Sequence, residues 1–164
     1  MPVAGRHCVF LLALGWCLVA VAACAPAGPN LRALAKQSAV RGVACDQAVA
    51  RFAAAPGGGT RQDVLGQLKE LNAALIETAG YEKEARRTNS EDLIDANRAF
   101  LETGRAWANC SLKYNKVLVA IGGREAARHN YQGLLARLTG PQFVAERRLV
   151  QAALNELGPA PSSP

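Results

Sequence analysis

Cysteine carries most of the reactive chemistry in this chain of 164 residues, at positions 8, 17, 24, 45 and 110. A thiol can act as a nucleophile, a metal ligand or half of a disulfide, depending on its neighbours. No C-x-x-C pair occurs, so dithiol redox chemistry lacks its usual spacing. Beyond Cys24 the chain has a single histidine, His129, and no methionine. Haem attachment through C-x-x-C-H is therefore missing, as is the repeated E-x-x-H of a di-iron bundle. There is no G-x-S-x-G, and Ser38, Ser90 and Ser111 have no histidine near them in sequence. Gly57-Gly58-Gly59 lacks the lysine and preceding strand of a phosphate loop and reads as a linker. The expectation is a protein that is not an enzyme and needs no metal or cofactor.

The first cysteines lie in a different kind of segment. Arg6 and His7 are followed by an uncharged run from Cys8 to Cys24. A positive start, an apolar middle and small closing residues make an export signal, set aside from the fold. Val21-Ala22-Ala23-Cys24 resembles the lipobox of bacterial lipoproteins, where the cysteine is diacylated and becomes the first mature residue. The resemblance implies a signal at 1–23, a lipid on Cys24 and a tether at 24–29. With Ala25 rather than Asp after the cysteine, it also implies sorting to the periplasmic face of the outer membrane. Two other readings compete: ordinary cleavage after Ala27, and an uncleaved span over the roughly 20 apolar or small residues from Cys8 to Ala27.

Processing changes the cysteine count. Cys8 and Cys17 leave with the signal and Cys24 takes the lipid, so Cys45 and Cys110 remain as an even pair in an oxidising compartment. That is a disulfide signal. Closing a loop of about 66 residues contributes roughly 4 kcal/mol in the chain-entropy account. Two separate buried thiols are the alternative. Arg6 is the only charged residue removed, so 18 basic residues face 13 acidic ones, a formal charge of +5. This balance favours anionic lipid or cell wall, or simply supplies solubility charge. Nucleic acid is not an expected partner for an exported chain.

The elements that must position these residues are helices. Ala, Leu, Arg, Glu, Gln and Lys dominate, and no stretch alternates with period two. Asn30 caps a first helix with the stripe Leu34, Ser38, Gly42, Cys45, Val49 and Phe52, ended by Pro56 and the glycines. Thr60 caps a second with Val64, Leu68, Leu71, Leu75 and Thr78, its stripe widened by Leu65, Asn72 and Ile76. Asn89-Ser90 open a third, with the stripe Leu93, Asn97, Phe100, Gly104, Trp107, Ser111, Tyr114, Leu118 and Ile121. Its stripe slips at Gly122-Gly123, which predicts a kink or a break before a shorter helix to Leu138. Pro141 opens a last helix carrying Phe143, Val144, Arg147, Val150, Leu154 and Leu157. The fold class is all-α: an antiparallel bundle of four to five helices over residues 30–158, with 159–164 as tail.

One surface stands out. Arg124, Arg128, His129 and Tyr131 around the predicted slip, with Arg147 in the next helix, form a candidate face for an acidic partner, and Arg137 and Arg148 lie beside them. A solvated helix face is the plainer reading, and on it Arg128→Ala changes stability by about 0.5 kcal/mol or less. In size class, processing and expected architecture the chain is similar to the secretin pilotins, small helical lipoproteins that grip a partner helix in a bundle groove. The expected function is therefore a non-enzymatic binding or assembly factor for an envelope protein. A structural or stress protein on cell wall or anionic lipid is the second expectation, and an inhibitor or immunity factor the third. Gripping a helix needs an open apolar groove, which sequence alone does not reveal.

Overall fold

Asn30 does cap the first helix. Its side-chain oxygen accepts the Ala33 N–H at 3.0 Å, and α1 runs Leu31–Ala54. The structure, a computed structural model, describes residues 30–159. The expected export signal, Cys24, the expected tether and all of the expected tail but Pro159 lie outside the described residues. The further elements are α2 (Gly58–Thr88), α3 (Leu93–Ala120), α4 (Arg124–Arg137), a 3-10 turn at Pro141–Phe143, and α5 (Val144–Glu156). The all-α bundle expected from the helix periods is the architecture found, with five α-helices among the described residues.

Two helix starts differ from expectation. Gly57 stands at the N-cap of α2, and two of the three glycines form its first residues. Thr60 lies inside that first turn and its hydroxyl donates back to the Ala55 and Gly57 carbonyls, at 2.9 and 3.2 Å. A threonine tied to the preceding chain holds the turn closed, so the linker shrinks. Asn89 does not open α3; it ends α2 in the left-handed region at φ 50°, which asparagine tolerates better than most residues. Ser90 then accepts the Asp92 N–H at 3.1 Å, just ahead of α3. The predicted break is present: Gly122 sits at φ +89°, where a side chain would be strained, and the chain turns back along α3 as α4.

The short α1–α2 link forces the two helices antiparallel, and α3 then runs parallel to α1. Side-chain pairs fix that register. Arg32 meets Asp95, Ser38 meets Thr103, Cys45 meets Cys110 and Asp46 meets Lys113, with sequence offsets of 63, 65, 65 and 67. The expected disulfide is the middle rung, with Cα atoms 6.0 Å apart and both residues buried. The core around it holds Phe52, Leu71, Trp107, Leu118, Tyr131 and Val150. Helices α4 and α5 pack on each other and on α3 alone. No helix among the described residues is long and apolar enough to cross a membrane.

Candidate functional site

The stripe of α2 is wider than its partners can cover, and the uncovered part forms the candidate site. Leu65 and Ile76 were expected to widen the core; instead they are 37% and 67% exposed. The cause is the placement of α4. It follows the C-terminal half of α3 without closing onto α2, and no Cα of α4 comes within 8 Å of α2. Between the two helices lies a groove floored by α3.

Arg137 divides this groove into two compartments. One, of about 230 Å³, has Trp107, Ser111 and Tyr114 at its floor, Leu65 and Leu68 on the α2 side, and His129, Asn130 and Gly133 on the α4 side. The other, of about 370 Å³, is almost wholly apolar, with Leu75, Ile76, Ala79, Phe100 and Phe143 around Asn72. From Leu65 to Ala79 the α2 wall is about 21 Å long. The two ends depend on different packing. Phe100 and Phe143 meet edge to face with centroids 5.3 Å apart. Phe143 reaches that place because Gly104 leaves it room; a Cβ there would lie 2.4 Å from the ring.

The polar groups of the first compartment are held in order. Asn115 is 2% exposed; its amide nitrogen donates to the Ser111 carbonyl at 2.9 Å and its oxygen accepts from Asn130 at 2.8 Å. Tyr114 accepts from Arg61 at 3.2 Å. The Arg137 guanidinium lies 5.7 Å from the Trp107 ring centre and donates to Asn72 Oδ1 across the groove. No Asp or Glu lines either compartment. Donors and apolar surface together suit a partner with an apolar stripe and negative charge. No group of three His, Cys, Asp or Glu that could hold a metal ion occurs among the described residues.

The five residues expected to share a docking face do not share one. Tyr131 is 1% exposed and belongs to the core on the α5 side of α4. Burial pushes its phenol above the usual tyrosine range, and the nearby Glu156 charge adds to this. The folded state thus favours the neutral phenol. That contribution is complete below about pH 10, where the unfolded group titrates, and is lost as pH climbs through the higher folded value. Arg124 donates to the Leu157 carbonyl at 3.1 Å, and Arg128 to Gly158, Pro159 and Leu157 at 2.7, 3.2 and 3.3 Å. Arg147 donates to Leu138 and Thr139 at 3.1 and 2.8 Å. These arginines close the C-terminal ends of α5 and α4, where orphan carbonyls and the helix dipole attract cations. Of the five, only His129 faces the groove, where Arg137 of the same expected surface joins it.

Arg128 is therefore more than a surface charge. Arg128→Ala is expected to cost about 2 kcal/mol, since three carbonyls lose a charged donor. Urea titration checks this, and a change below about 0.5 kcal/mol would restore the solvated-face reading. Gly133 is the converse case. Helix interiors disfavour glycine, and a Cβ at this position meets nothing within 4 Å. Gly133→Ala is expected to raise stability by about 0.5–1 kcal/mol. A lower melting midpoint would show that α4 needs the glycine for its own packing.

Sequence reasoning named the groove floor as core and missed the groove itself. The available signal was the excess width of the α2 stripe, which has more apolar positions than one seam covers. Comparison with protein-family models, with curated proteins and with solved structures gives no match for this chain.

Proposed function

We propose that this chain is a lipid-anchored protein on the periplasmic face of the outer membrane, and that its groove holds a helical segment of an envelope protein during placement or assembly. The observation that carries the reading is the open slot between α2 and α4. Both helices pack on α3 while their backbones stay more than 8 Å apart, bridged by Arg137 and Asn72, so a further helix laid in the slot would complete the bundle. Ile76, two-thirds exposed on the slot's rim, is the kind of side chain such a helix covers. The anchor comes from the lipobox Val21-Ala22-Ala23-Cys24, and the pilotin resemblance supplies the precedent of a helix gripped by a small lipoprotein.

A photo-crosslinking side chain at Ile76, in the exported protein of living cells, should yield an adduct with one envelope protein. The crosslinked peptide should be an apolar-striped helix. The same group at Val40, 62% exposed on α1 and lining neither compartment, should give no such adduct. Equal adducts at both sites, or none at Ile76, would sink the groove reading. The anchor is tested separately, since Cys24→Ala should release the protein from the membrane fraction or leave an uncleaved precursor. A variant that matures and sediments like the wild type would refute the lipid.

A further inference from the structure

We infer that Arg137 is the specificity residue of the groove, and that it selects a helix bearing one Asp or Glu in the middle of its apolar stripe. The inference rests on the helix-in-groove reading and adds the chemistry of the occupant. Arg137 is the single ionised side chain that lines both compartments. Among the described residues it has no carboxylate partner, whereas Arg32, Arg86, Arg87 and Arg105 each have one. Arg124, Arg128 and Arg147 are held by backbone carbonyls. The partners of Arg137 are a neutral amide, Asn72, and the face of Trp107.

That arrangement orients the guanidinium without neutralising it. Cation–π attraction holds the guanidinium over the ring and leaves hydrogen-bonding N–H groups available. A carboxylate accepts two parallel N–H bonds from such an edge and is a stronger acceptor than an amide oxygen. The exchange is therefore favourable: the incoming acid takes the guanidinium and Asn72 returns to solvent. Since the Arg137–Asn72 bond spans the groove, its release also joins the two compartments into one slot. Position follows from the same geometry. Asn72 lies between Leu68 and Leu75 on the α2 wall, so the acid sits at the centre of the bound segment. Neighbours on one helix face are three or four residues apart, so large apolar residues should stand at those spacings on either side of the acid. His129 and Ser111 add donors in the first compartment, and no carboxylate opposes the charge.

The test uses the full chain with Trp16→Phe, so that Trp107 is the only tryptophan and reports from the groove floor. The protein is reconstituted in phosphatidylcholine nanodiscs and used to select from displayed helices of about eighteen residues, long enough for the slot. Their stripe varies among Leu, Ile, Val and Phe, and its central position among Glu, Gln, Leu and Lys. Binders that shift Trp107 emission, and are lost with Gly133→Phe, should carry Glu at the centre. They should bind about tenfold more tightly than their Gln counterparts, as expected for a charged hydrogen bond. Arg137→Gln should erase that difference while the melting temperature stays unchanged. Groove binders that prefer Gln, Leu or Lys, or that keep the Glu preference in Arg137→Gln, would overturn the inference and leave the groove standing. If no selected helix shifts Trp107 emission, the groove reading fails and this inference fails with it.

Discussion

Protein carrying Cys45→Ala with Cys110→Ala is expected to lose about 4 kcal/mol of stability, the entropy of closing a loop of that length. The two cysteines are 0% and 1% exposed and lie 65 residues apart in sequence, joining the middle of α1 to the middle of α3. Those helices run in one register and pack along their length, so the crosslink ties together two segments that the unfolded chain would hold far apart. Alanine leaves no unpaired polar group behind, which keeps the loss close to the crosslink itself. Domains of this size have only about 5–15 kcal/mol in total, so the double variant should unfold at a much lower urea concentration. Wild type treated with reductant should move the same way. An unchanged midpoint, or free thiols in natively exported protein, would remove the disulfide from the account.

Trp107→Ala is expected to cost about 3 kcal/mol, the lower end for truncating a buried aromatic ring. The low end applies because one side of the ring already borders the groove, so part of the vacated volume opens to an existing compartment. The ring is still only 7% exposed and packs within the main core. The substitution also removes the platform under Arg137, so segment binding should weaken by more than stability alone explains. Trp107→Phe separates the two effects, since it keeps a stacking surface and most of the packing. Denaturant titration measures the first effect and competition against a selected helix the second. A Trp107→Ala protein as stable as wild type would place the ring outside the core and the groove floor would have to be redrawn.

Much of this molecule was legible before any coordinates. The periods of apolar residues placed four helix bodies, the slip at Gly122-Gly123 placed the break, and processing arithmetic left Cys45 and Cys110 as the pair that meets. Each is a local signal: a repeat of three and four, a residue with no side chain, a count. What the tertiary structure alone decided is which stripe positions find a partner. Leu68 and Ile76 look alike on α2, yet one packs against the core and the other is two-thirds exposed, because α4 runs along α3 without closing onto α2. The arginines show the same limit. Arg128 and Arg137 are nine residues apart on one helix, and nothing in their type separates them. One turns to the carbonyls that end α5 and the other to Trp107 and Asn72, an assignment made by where the chain returns after Pro141. Burial and hydrogen-bond pairing depend on distances between segments remote in sequence, so periodicity reports the width of an apolar face but not what covers it.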